Sequence, residues 1–160
     1  MATVTKKGVK NEQKFGGAPY GNATKLPYSF ETNSSGVYVD SDKATAVASG
    51  DVVRIGIIPG GTTLYDALFA ISDAFTASAT ADIGFQYVDG VDDTNVPQDA
   101  DYFDAALALD ATGRTRAANL AVRPVTLPKD AYLILTIGGA NLAAVGVIDI
   151  VLDVTEKGTA

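Results

Sequence analysis

The chain has no cysteine and no histidine among its 160 residues. Without cysteine there is neither a disulfide framework nor a thiolate metal site. Without histidine the side chain most used for proton transfer near neutral pH is missing, and so is the commonest zinc ligand. A Ser-His-Asp triad cannot be assembled. Tryptophan is absent as well, so a sugar-stacking surface would have to be built from tyrosine. Serine is never followed by lysine at the S-x-x-K spacing, and the paired glycines Gly60-Gly61 and Gly138-Gly139 lack both a P-loop lysine and the G-x-G-x-x-G order. They read as turns. Long apolar runs are also missing: the richest, around Ala143–Val154, is cut by Asp149 and Asp153 and is too short to span a bilayer. The lysines near the N-terminus precede no apolar segment, so no secretory address is expected.

What is present is apolar content of 47% with a mean hydropathy of +0.15, enough for a packed core. A chain of this length is expected to form one domain. Its charge is uneven. Residues 1–30 carry five lysines (Lys6, Lys7, Lys10, Lys14, Lys25) against Glu12, a net of +4; the remainder carries seven basic and eighteen acidic groups, a net of −11. A basic segment on an acidic body suits either an acidic partner or a terminus kept in solution by its lysines. The body would repel phosphates, which argues against nucleic-acid binding.

Residues 1–35 are rich in Gly, Asn, Lys and Pro and keep no helical or strand period. They read as an extended N-terminal arm, with Phe15, Tyr20, Tyr28 and Phe30 as anchors for a groove on a partner and Lys6, Lys7, Lys10 and Lys14 facing acidic surface. Removing residues 1–30 is then expected to leave the body folded. Residues 36–160 read as the folded domain. Val37–Val39 is a short strand. Val52–Ile58 alternates, with Val53, Ile55 and Ile57 on one face and Arg54 and Gly56 on the other, until Pro59-Gly60-Gly61 stops it. Thr62–Phe75 fits a helix by its leucine spacing and a strand by its threonines, with strand preferred. Ala81–Val88 alternates up to the Asp89-Gly90 turn signal. The Ala-rich Tyr102–Leu109 allows a helical turn, and Pro124 places Leu120–Leu127 at an edge or in a loop. Ala131–Ile137 is a strand. In Val145–Val154 the aspartate-bearing face points outward, and Ile148, Ile150, Leu152 and Val154 point inward. About eight short strands with closely spaced turns predict an all-β fold, a jelly-roll-like antiparallel β-sandwich.

The aspartates of DGVDDTNVPQDADYFD, from Asp89 to Asp104, invite a test for calcium, but their spacing does not match the calcium-loop motif, and a solvated acidic loop is the favoured reading. A carboxylate pair for glycoside hydrolysis is a weak possibility in so acidic a chain.

From Val52 onward the order is V-x-R-I-x-x-I-P-x-G, then S-D-A-F, Ala79-Thr80-Ala81-Asp82-Ile83-Gly84, an Asp-Gly turn, Asp99-Ala100-Asp101-Tyr102-Phe103, AYLILTI and VGVIDIVLDV. This resembles small structural proteins of tailed bacteriophage virions, of the capsid decoration (cement) type, over roughly residues 50–154. The resemblance implies a jelly-roll-like sandwich with no catalytic site and no cofactor. It implies binding to the major capsid protein on the outer capsid surface of the virion, and association with other copies of the chain. Neither nucleic acid nor membrane is an expected partner. Another virion position (a tail or head–tail connector component) and, more distantly, a carbohydrate-binding β-sandwich are the alternatives. Residues 1–45 lie outside the resemblance.

Overall fold

The computed structural model describes residues 2–5 and 23–156. Among them the fold is all-β: ten strands and no helix. The strands are β1 (Thr3–Thr5), β2 (Ala23–Thr32), β3 (Val52–Ile58), β4 (Thr62–Asp73), β5 (Thr80–Tyr87), β6 (Asp99–Ala108), β7 (Gly113–Arg116), β8 (Val125–Thr126), β9 (Ala131–Gly138) and β10 (Gly146–Glu156). They form two packed sheets, a jelly-roll-like β-sandwich. One sheet runs β1-β3-β9-β5-β6; the other runs β2-β10-β4-β7, with β8 also on β4. Every pairing is antiparallel except β1 with β3, which is parallel.

Alternation sets which residues enter the core. In β10 the buried residues are Gly146, Ile148, Ile150, Leu152 and Val154, and Asp149 is exposed, the faces expected from the sequence. In β3 the expected alternation fails. Arg54 pairs with Ile134 and Gly56 with Leu133, so Ile55 is an extra residue in a bulge. Beyond it the faces exchange: Gly56 and Ile58 are buried and Ile57 is not fully so. Thr62–Asp73 is a strand throughout, and Tyr102–Ala108 belongs to β6 instead of a helical turn. Val37–Val39 contributes only an isolated bridge, Tyr38 to Thr32.

Where it is described, the segment read as an arm contributes a strand to each sheet. β1 is tied by Ala2 N to Asp51 Oδ1 (3.1 Å) and Thr5 N to Asp42 Oδ1 (2.9 Å). β2 pairs with β10 along its whole length, from Thr32 opposite Gly146 to Ala23 opposite Thr155. Leu26, Phe30 and Thr32 are buried on its inner face. Pro27 and Lys25 suit the strand's place at the sheet edge, where a missing N–H and a charge are tolerated. Residues 23–32 are therefore not arm, and Tyr28 and Phe30 are not free anchors. The physical reason is pairing: β10 supplies hydrogen bonds and a core that the weak local pattern of residues 23–32 does not announce. Lys6, Lys7, Lys10, Lys14, Phe15 and Tyr20 lie outside the described residues.

Asp51 is the main buried charge, 3% exposed. It accepts hydrogen bonds from Ala2 N and Ala48 N and pairs with the Lys43 ammonium. Desolvation pushes its carboxyl up, but the hydrogen bonds from Lys43, Ala48 and Ala2 outweigh it and hold the group below its ordinary value. A carboxyl with a lowered folded-state value stabilises the protein fully above its unfolded value, about 3.9, and loses that contribution as pH falls through the folded one. Asp51→Asn is thus expected to cost about 2 kcal/mol at pH 7, with the difference from wild type shrinking below about pH 4. Urea unfolding at both pH values checks this; a pH-independent difference would count against it.

Candidate interaction surface

The chain between β6 and β9 makes a long excursion that ties the open edges of the two sheets. β7 adds to β4, with Gly113 opposite Ile71 and Arg116 opposite Leu68. Ala117 N then donates to Ala67 O (2.8 Å), after which the chain crosses to the other sheet. There Ala118 N and Asn119 N donate to Phe103 O (3.1 and 3.3 Å), and Asn119 Nδ2 donates to Asp101 O (2.8 Å). It turns at Leu120-Ala121 and returns to β4 as β8, Val125 opposite Leu64. Backbone groups are satisfied on both sheets, so the apex is pushed outward. Leu120 is left 95% exposed.

Beside this apex lies a groove of about 270 Å³. Phe85, Tyr102, Val96, Pro97, Val122 and Val125 line it, with Asn95, Gln98, Asp99 and Arg123 also on its walls. Its floor comes from an unusual step in the sheet. Ile83 of β5 pairs with Asp104 of β6, and Phe85 pairs with Asp99, so residues 100–103 arch over Gly84 alone. A Cβ on Gly84 would sit 2.0 Å from Asp99 O and 2.5 Å from Ala100 C. Only glycine permits this backbone approach. On the same strand Asp82 Oδ1 accepts from Ala106 N (2.8 Å), bracing the far side of the arch. Ala79–Gly84 and Asp99–Phe103, two segments prominent in the sequence, are thus the two halves of one backbone crossing.

The arch turns Tyr102 inward. Its ring meets Phe85 edge-on at 5.5 Å and Phe103 at 4.9 Å, and its hydroxyl donates to Arg123 O at 2.7 Å. Burial pushes this phenol up to about 12, so it remains a donor at neutral pH. The other wall is fixed by Tyr87, whose hydroxyl donates to Val96 O at 2.5 Å. Asp99 sits against Asp101; desolvation first, and the hydrogen bond with Asp101 second, raise its carboxyl above its ordinary value.

The acidic loop is built, not merely solvated. Asp89 Oδ1 accepts from Val91 N, Asp92 Oδ1 from Gln98 N (2.7 Å), and Asp93 Oδ1 from Asn95 N and Val96 N. Lys129 closes it by pairing with Asp89 at 2.7 Å and donating to Val91 O at 2.6 Å. The carboxylates hold the loop that forms the groove's rim. Among the described residues no three metal-ligating side chains gather to hold an ion. No helix among them is long and apolar enough to cross a membrane.

On the outer face of the other sheet, Arg116 bridges Asp66 (2.6 Å) and Asp153 (3.0 Å), and Lys25 also pairs with Asp153. The two cations are exposed and their carboxylates half-buried, so solvent screens these pairs and each contributes little. Arg116 thereby helps hold β7 to the sheet. Leu120 and the groove were not legible as a site. The one local signal was a lone leucine among polar and small residues in AANLAVRP.

No protein-family profile matches the chain, and no curated protein matches it in sequence. Solved structures do match its fold. A chain of the capsid of Ralstonia phage GP4 superposes with a TM-score of 0.63 at 15% identity, over 98% of this chain and 99% of that one. A chain of the cyanophage Pam1 capsid asymmetric unit superposes with a TM-score of 0.52 at 9% identity, over 92% of this chain and 96% of that one. At these identities the likeness is one of fold: this chain has the sandwich of chains found in phage capsids.

Proposed function

We propose that the chain is a capsid decoration (cement) protein. It binds the outer head surface of a bacteriophage and stabilises contacts between major capsid subunits, without catalytic activity of its own. One observation carries this reading. The match to a phage capsid chain is end to end in both directions, 98% of one and 99% of the other. The shared unit is thus the whole of this sandwich and not a fragment of it. Fold alone does not assign function, so the surface chemistry must agree with it. Beyond residue 30 the chain carries a net charge of −11, which disfavours contact with packaged DNA and suits the outside of a shell. The lysines Lys6, Lys7, Lys10 and Lys14, with Phe15 and Tyr20, supply the opposite charge and aromatic bulk for acidic capsid surface. Symmetric repetition over the head multiplies a modest single contact.

Quantifying the chain on purified heads tests this. Many copies, in fixed proportion to the major capsid subunit, are expected, together with heads that survive heating better when decorated. A few copies per particle would instead favour the tail or connector reading. Replacing Lys6, Lys7, Lys10 and Lys14 with glutamine is expected to weaken attachment and flatten its salt dependence while leaving the melting temperature unchanged. Unchanged occupancy would remove these lysines from the contact.

A further inference from the structure

The apex and groove beside β6 hold both halves of a contact on a single chain. Leu120 projects almost fully into solvent. Two and three residues further on, Val122 and Arg123 line an apolar groove that nothing among the described residues fills. At about 270 Å³ the groove lies below the range typical of small-molecule sites, roughly 300–1,000 Å³. It is wide enough for one branched aliphatic side chain. Its walls also carry both signs of charge: Arg123, exposed and, among the described residues, making no hydrogen bond or ion pair through its side chain, and Asp99 beside Asp101, two acidic side chains with no cation against them among the described residues. Two like charges held this close favour an external cation between them. Val91, 62% exposed on the loop that forms the rim, and Pro124 beyond the apex extend the apolar surface.

From this juxtaposition we infer that the face is a contact between copies of this chain: Leu120 of one copy enters the groove of another, and Arg123 meets Asp99 and Asp101 across the interface. A second copy is the occupant because the knob, the hole, the cation and the carboxylates all belong to the same surface, which is the condition for self-complementary association. An unrelated partner would need to supply each of them separately. Arginine is enriched among the anchors of such interfaces, and burial of Leu120 adds the gain from removing its apolar surface from water.

The test uses the full chain in solution, without capsids. Sedimentation equilibrium over a range of concentrations is expected to show wild-type association. Leu120→Asp is expected to weaken it by about tenfold or more with no change in melting temperature, since Leu120 is 95% exposed among the described residues. Arg123→Glu should weaken it too, and Arg123→Glu combined with Asp101→Arg should restore it. A wild-type chain that stays monomeric throughout overturns the inference, as does a Leu120→Asp variant that associates like wild type. Head occupancy is a separate measurement, so failure here leaves the capsid-binding reading standing, and failure there leaves this contact standing.

Discussion

Phe30→Ala is expected to cost about 3–5 kcal/mol, a large part of the stability of a domain this size, and to leave the chain largely unfolded well below the wild-type melting temperature. Phe30 is fully buried. Its ring stacks on Phe75 at a centroid separation of 5.4 Å and meets Tyr38 edge-on at 4.8 Å. Removing it opens a cavity where β2, β4's end and the segment after β2 converge, and Gly146, already pressed against Phe75, has no side chain to fill it. The same residue read as an arm anchor would lower partner binding and leave stability alone, so thermal unfolding of the isolated chain separates the two roles. A wild-type melt would return Phe30 to the arm. By the same logic, removing residues 1–30 deletes most of β2 and its pairing with β10, and the earlier expectation of a folded body does not survive. Tyr28 gives the parallel case: its ring covers Gly56 on the opposite sheet and its hydroxyl donates to Ile57 O at 3.0 Å, an inter-sheet tie.

Gly84→Ala is expected to cost about 3 kcal/mol and to deform the groove. The added methyl would fall 2.0 Å from a backbone oxygen, Asp99 O, where no side-chain rotation gives relief. The arch of residues 100–103 must lift, moving Tyr102 away from Phe85 and breaking its hydrogen bond to Arg123 O. Urea unfolding measures the loss, and the near-ultraviolet circular dichroism of the tyrosines reports the displaced ring. If both match wild type, the close crossing of β5 and β6 is wrong. If the self-association inferred above is real, it should fall in this variant even at temperatures where the protein remains folded.

Much of the sandwich was legible in the sequence. Two-residue alternation marks which face of β10 is buried, because a strand's side chains must alternate whatever it pairs with. The strand ends at Pro59-Gly60-Gly61 and Gly138-Gly139 were likewise readable from residues that break or turn the chain. The register of β3 was not: one extra residue at Ile55 exchanges every face beyond it, and that residue looks like any other member of an apolar run. Nor was β2, whose Lys, Pro, Ser and Glu face solvent at a sheet edge and mask the buried Leu26 and Phe30 between them.

By itself, then, the sequence determined the chemistry this chain lacks, the all-β class and the sign of its surface, since these follow from composition and local period. Tertiary structure alone decided that the N-terminal aromatics Tyr28 and Phe30 belong to the core, that Ala79–Gly84 and Asp99–Phe103 cross at one glycine, and that Leu120 stands beside a groove. Each of these depends on contacts between residues far apart in the chain, and local periodicity says which way a side chain points but not what it will meet.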